Sequence, residues 1–114
     1  MRNLESKLQI ECVKWFRLQY PKLLLFAIPN GGKRNVITAS ILKAEGVVSG
    51  APDIMIAQPN KTHHGLFIEM KVGKNKPTPN QIITMLQLKD SGYHCEVCYS
   101  FDSFKEIVEK YLSN

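Results

Sequence analysis

Residues 65–72 read Gly65-Leu66-Phe67-Ile68-Glu69-Met70-Lys71-Val72. An apolar run passes without a break into a Glu-x-Lys triplet. A run this short, bounded by the polar stretch Gln58–His64 and the basic loop Gly73–Pro77, reads as a buried strand. Strand side chains alternate between faces, so Glu69 and Lys71 share a face while Met70 points the other way. The Met70 carbonyl lies on the backbone between them. The ordinary reading of Glu-x-Lys is a solvent-facing ion pair. Charge at the end of a buried strand is costly unless it is paired or functional, and this makes the triplet a candidate site.

Working outward, Gly50-Ala51-Pro52 reads as a turn that delivers Asp53 to the start of a preceding strand, Asp53–Ala57. If the two strands are neighbours, the Asp53 carboxylate comes near that of Glu69. Two carboxylates held together repel, and burial raises a carboxyl pKa further. A divalent cation removes the conflict. Oxygen donors of this kind suit Mg²⁺ or Mn²⁺, which keep several waters and accept phosphate oxygens as ligands. Asp53 and Glu69 are the candidate metal ligands, with Lys71 beside them as a point charge for a developing phosphorane-like state.

The rest of the chain supplies the framework. Asn3–Tyr20 reads as an amphipathic helix, with Leu4, Leu8, Cys12, Trp15 and Phe16 at helical spacing, Asn3 as N-cap and Pro21 as stop. Core packing is the expectation for Trp15 and Phe16. Leu23–Ile28 reads as a buried strand, and Val36–Ala44 as a helix. Pro79–Ser91 is a third helix capped by Thr78 and ended by Gly92. Tyr93–Tyr99 is a strand, and Asp102–Leu112 is a closing helix capped by Ser100 or Asp102. The expected class is α/β, a mixed central sheet of about four strands flanked by helices in the order α-β-α-β-β-α-β-α, as a single domain over residues 1–114.

Composition bounds the function. The chain has 114 residues, 44% hydrophobic and 22% charged, which fits a folded globular domain rather than a disordered one. The formal net charge is +5, and between Asn30 and Asn80 seven basic residues stand against three acidic ones. A basic domain of this kind points to a polyanion, nucleic acid first. The longest apolar run is too short to span a bilayer, and MRNLESKLQI has no signal-peptide core. Three cysteines give no disulfide framework and indicate a reducing cytoplasm.

Other candidates are weaker. Asn30, Gly31 and Gly32 could bring backbone N–H groups to a phosphate. No Gly-Lys-Ser/Thr follows them, so a nucleotide cofactor is not expected. Lys33, Arg34, Lys74 and Lys76 flank this loop and the Gly73–Pro77 loop, and are candidates for phosphate contacts. Cys95-x-x-Cys98 beside His94 resembles a zinc motif. On a strand, however, the two thiols face opposite sides, and a fourth ligand is missing. His63 and His64 are expected in an exposed hairpin.

Taken together, these motifs resemble the PD-(D/E)XK nuclease superfamily and, within it, the VRR-NUC family of virus-type replication-repair nucleases. The resemblance rests on Pro29-Asn30-Gly31-Gly32-Lys33-Arg34, on Leu42 to Ile54 with Pro52-Asp53, on Leu66 to Lys71 and on Lys76 to Gln81. Gly92-Tyr93 also fits, and nearly the whole chain is covered. The resemblance implies a restriction-endonuclease-like fold and metal-dependent phosphodiester hydrolysis. Asp53 and Glu69 match the family's metal ligands, with the Met70 backbone carbonyl as a further ligand, Lys71 matches its catalytic lysine and Gln81 a glutamine that points back at the site. Glu5 matches an acidic residue of the first helix that supports the metal, and is preferred over Glu11, which lies well round the helix.

By the same resemblance, small standalone members look like Holliday-junction resolvases. The expectation is a homodimer cutting branched DNA, in the cytoplasm of a bacterial host if phage or prophage encoded. The alternatives are a flap or nicking nuclease that needs a partner protein, and a non-catalytic DNA-binding module on the same fold.

Overall fold

The computed structural model describes residues 2–29 and 36–114. The element order is α1 (Arg2–Gln19), β1 (Leu25–Ala27), α2 (Val36–Ala44), β2 (Ile54–Ile56), β3 (Leu66–Met70), α3 (Pro79–Asp90), β4 (His94–Cys98) and α4 (Phe101–Leu112). This is the expected α-β-α-β-β-α-β-α order. The four strands form one sheet in the order β1-β2-β3-β4, antiparallel across the first two pairings and parallel across β3–β4. The sheet is therefore mixed, as the sequence implied.

Alternation along β3 divides the core between two faces. On one face Ile54, Ile56, Leu66, Ile68, Met70 and Cys98 pack against Cys12 and Phe16 of α1 and Phe104 and Val108 of α4. Trp15 closes this layer through edge-on contacts with Phe101 and Phe104. On the other face Phe67 and Cys95 pack against Met85 of α3. Cys95 and Cys98 thus lie on opposite faces, as their spacing requires on a strand, and all three cysteines are free.

Helix ends follow local chemistry. Ser100, not Asp102, caps α4: its backbone is extended and its hydroxyl accepts from the Ser103 N–H. Thr78 caps α3, with Pro79 in the first turn. Gly92 follows with φ +93°, a left-handed conformation that glycine adopts without penalty.

Two expectations need correction. Leu23–Ile28 is not a buried strand. Only Leu25–Ala27 is extended, at the sheet edge, and Leu25 alone of the three is buried while Leu24 and Phe26 are exposed. An apolar run mimics a central strand, but here α1 covers one face of β1 and no described helix covers the other. Asn3 is not an N-cap, because α1 already begins at Arg2. Among the described residues no helix is long and apolar enough to cross a membrane.

Candidate active site

The pairing register decides the geometry of the site. Ile54 pairs with Ile68 across β2–β3, so the same register carried one step back sets Asp53 opposite Glu69. Directly opposed residues on antiparallel strands place their Cβ atoms about 5 Å apart on one face. The backbone supports this extension, since the Ile28 N–H donates to the Asp53 carbonyl at 2.8 Å. Asp53 is held further by its side chain, whose Oδ2 accepts from the Met70 N–H at 2.7 Å. The parallel ladder also runs on past β3, with the Lys71 N–H donating to the Cys98 carbonyl at 2.9 Å. Lys71 is thereby fixed on the Glu69 face.

That face is the one covered by α3. Gln81 lies in the first turn of α3, and its Nε2 donates to Glu69 Oε2 at 2.8 Å. The orientation of the amide follows from the cap. Gln81 Oε1 accepts from the Thr78 backbone N–H at 2.9 Å, so only the NH₂ side can face Glu69. The Gln81 N–H returns to Thr78 Oγ1 at 3.2 Å, completing a capping box. Thr78 therefore aims Gln81. The signal was present in the sequence as Thr78-x-x-Gln81, a threonine three residues ahead of a glutamine.

Glu69 is 2% exposed. Its Oε2 takes the Gln81 hydrogen bond and lies 3.5 Å from the Lys71 ammonium. Its Oε1 is buried with no donor. Opposed carboxylates can satisfy one another only by sharing a proton. Burial first, and the Asp53 charge second, push the Glu69 carboxyl up to about 8, while Lys71 pulls it down.

The folded-state value thus lies above the ordinary 4.5, and the sign of the pH effect follows. In metal-free protein this proton stabilises the fold fully below the unfolded value and is lost as pH rises towards 8. The melting temperature of the EDTA-treated protein is expected to fall from pH 5 to pH 9, and Glu69→Gln to flatten that fall. Parallel melting profiles for the two proteins would show that Glu69 holds no such proton.

The other candidate residues are placed as follows. Lys74 and Lys76 are exposed on the loop between β3 and α3, directly beyond Lys71. Gly73 turns this loop with φ +60°, and Tyr99 pins it by donating its hydroxyl to the Asn75 carbonyl at 2.9 Å. Glu5 is half-buried in the first turn of α1, which packs on the opposite face of the sheet from the Asp53–Glu69 pair. Glu11 is exposed. Among the described residues no three Asp, Glu, His or Cys side chains converge as a metal cage. The structure brings together Asp53, Glu69, Lys71 and Gln81, and does not bring Glu5 to them. Asn30, Gly31, Gly32, Lys33 and Arg34 lie outside the described residues.

The donor set fits a hard divalent cation. Mg²⁺ is ordinarily held by one or two carboxylates together with waters and substrate phosphate, rather than by an all-protein cage. Asp53 and Glu69 supply the two carboxylates, and the orphaned Glu69 Oε1 is an oxygen in want of a positive partner.

No curated protein matches the chain. Solved structures do, among them the following two. A "VRR_NUC domain protein" superposes with a TM-score of 0.79 at 24% identity, over 96% of this chain and 88% of that one. A "VRR_NUC domain" superposes at 0.64 and 22% identity, over 94% of this chain and 96% of that one. At these identities the likeness shows a shared fold. The family model described as "VRR-NUC domain" matches residues 2–102, which takes in both strands of the carboxylate pair and the helix that carries Gln81. With nearly the whole chain matched, the protein belongs to the VRR-NUC family and has its nuclease-type fold.

Proposed function

We propose that the protein is a metal-dependent DNA endonuclease that hydrolyses phosphodiester bonds in branched DNA, working as a homodimer. The observation that carries this reading is the buried Glu69 carboxylate opposed by the half-buried Asp53, with one Glu69 oxygen unsatisfied and a lysine ammonium 3.5 Å from the other. Two carboxylates are rarely set against each other for structure alone, because taking each out of water costs on the order of several kcal/mol unless a cation compensates.

Asp53, Glu69 and the Met70 carbonyl would hold Mg²⁺ or Mn²⁺. The bound ion supplies a Lewis acid for a phosphate oxygen and lowers the pKa of a bound water. The protein's own groups do the rest. The Met70 N–H fixes the Asp53 carboxylate, and Gln81, aimed by Thr78, fixes that of Glu69. Lys71 presents its ammonium on the same face, where it stabilises the charge that builds on the non-bridging oxygens as water adds to phosphorus and the ester oxygen departs. Lys74 and Lys76, with Lys33 and Arg34, would hold the flanking backbone through charge, and Asn30, Gly31 and Gly32 through backbone N–H groups, giving salt-dependent binding with little sequence preference.

The test is cleavage of a labelled four-way junction and a matched linear duplex, each with Mg²⁺, Mn²⁺ or EDTA. Paired cuts in the junction, sparing of the duplex and silence in EDTA are expected. Cuts on one strand only would indicate a nicking enzyme. Tight junction binding without cleavage under any metal would leave a non-catalytic DNA-binding module.

A further inference from the structure

The register of the parallel ladder brings one more side chain to the site. Glu69 pairs with Val97 and Met70 with Cys98 across β3–β4. Carried one step on, the same register sets Lys71 beside Tyr99, and the Lys71 N–H still bonds the carbonyl that precedes Tyr99. Neighbouring strands lie about 4.8 Å apart. Val97 packs with Phe67 and Cys95 on the face under α3. Alternation returns Tyr99 to that face, which is also the face of Glu69 and Lys71.

The two ends of this tyrosine meet different surroundings. Its hydroxyl donates to the Asn75 carbonyl at 2.9 Å, which ties it to the loop that carries Lys74 and Lys76. Its ring stays in water, since Tyr99 is 42% exposed. A ring that served packing would be covered, because burial is where an aromatic side chain stabilises a fold. A residue that only pinned the loop would need its hydroxyl alone. What remains is an aromatic surface, held at one end, next to a basic loop and to Lys71. Holding the ring in advance lowers the side-chain entropy lost when a flat ligand stacks on it.

We infer that Tyr99 is a stacking platform for a nucleobase of the strand that is cut, at a point where a branch interrupts the base stack. The inference rests on the nuclease reading and deepens it by naming the residue that tells branched DNA from linear duplex. Lys74 and Lys76 bind phosphates, and phosphates are alike in both. Selection needs a group that meets a base. Inside a duplex each base is covered on both faces by its neighbours, so a surface tyrosine has nothing to stack on. At a branch point one face is open. Stacking on an aromatic ring is then favourable for any base, because every base has a π-face. With a phosphate at Lys71, the base of the same or the adjoining nucleotide is within reach of a ring on the next strand. Phe26 is also an exposed aromatic, but it stands on β1, at the other edge of the sheet from β4 and Tyr99.

The experiment is equilibrium binding in EDTA, read by fluorescence anisotropy, so that no strand is cut. The DNAs are a four-way junction, the matched linear duplex and a junction with abasic sites at the branch point. The proteins are wild type, Tyr99→Ala, Tyr99→Phe and Phe26→Ala. Wild type is expected to prefer junction to duplex. Tyr99→Ala is expected to lose on the order of 10-fold in junction affinity and nothing on the duplex. Removing the branch-point bases should cost wild type the same factor and Tyr99→Ala nothing. Tyr99→Phe keeps the ring and gives up the bond to Asn75, so it should keep most of the preference, and Phe26→Ala should keep all of it. Tyr99 is exposed, so far-UV circular dichroism should be unchanged in both of its variants. A wild type without preference overturns the inference. So does a Tyr99→Ala protein that loses junction and duplex alike or stays sensitive to the abasic sites, or a Phe26→Ala protein that loses as much. A Tyr99→Phe protein as weak as Tyr99→Ala also overturns it, and leaves the residue as a tether for the loop. Cleavage with Mg²⁺ or Mn²⁺ is read separately. A protein that binds as expected and never cuts loses the nuclease reading alone. One that cuts junctions while Tyr99→Ala binds them as wild type does loses the inference alone.

Discussion

Asp53→Asn is expected to lower metal-dependent cleavage at least about 1000-fold, and at the same time to stabilise the metal-free protein at pH 8 by about 1–2 kcal/mol. Both effects come from one feature. Asp53 and Glu69 are opposed in register, and burial with mutual repulsion has already driven the Glu69 carboxyl up to about 8. Asparagine keeps the shape, and its amide oxygen can still accept from the Met70 N–H that now bonds Asp53 Oδ2. What it removes is one of the two charges. Without metal this relieves repulsion, so Glu69 ionises nearer its ordinary range and the fold gains. With metal it removes half of the carboxylate charge that binds the ion, so affinity and turnover collapse together. Opposite signs for stability and activity are the mark of a site held under strain for function. Thermal melts in EDTA and in Mn²⁺, beside cleavage assays, read both effects. An Asp53→Asn protein that loses stability in EDTA, as an ordinary hydrogen-bonded aspartate would, contradicts the reading even if cleavage disappears.

What the sequence made legible was the part governed by short-range rules. Alternation along Leu66–Lys71 set Glu69 and Lys71 on one face, and the turn at Gly50–Pro52 set Asp53 at a strand start. These two facts fix the carboxylate pair once the strands are neighbours, and the register supplies that. The reading lost its grip where tertiary covering decides the outcome. Leu23–Ile28 has the composition of a central strand, yet no helix covers its second face, and composition does not record which faces are covered. The placement of Glu5 is of the same kind. The resemblance matches it to the site, but only packing determines that α1 lies on the far face of the sheet. Gln81 stood in between. Its helix and turn were legible, while the direction of its amide needed the Thr78 capping box that fixes it.

Gly50 shows how much of the site depends on a contact that leaves no trace in residue type. The loop that delivers Asp53 touches the first turn of α3 at Gly50. A β-carbon there would meet the Asn80 carbonyl oxygen and lie 2.6 Å from Thr84 Oγ1 and 2.7 Å from the Asn80 carbonyl carbon. Asn80 precedes Gln81, and the obstacle is largely helix backbone, so it cannot swing aside as a side chain tip would. Gly50→Ala must push the loop away from α3, separating Asp53 from the turn that holds Gln81 on Glu69. The expected cost is about 1–3 kcal/mol of stability. The cost in cleavage is larger, on the order of 100-fold, because a displacement near 1 Å among catalytic groups has that effect. Gly46→Ala separates the two contributions. Gly46 has φ +105° and open space around it, so alanine there strains the backbone without touching α3. It should cost about 1–2 kcal/mol and leave turnover of the folded protein unchanged. Chemical denaturation gives the stabilities, and metal titration with single-turnover cleavage gives the site. If Gly50→Ala loses stability like Gly46→Ala but cuts DNA and binds Mn²⁺ as wild type does, the close approach of loop to helix is a packing detail. If cleavage falls far more than stability, the fold sets the spacing of the two carboxylates at that contact.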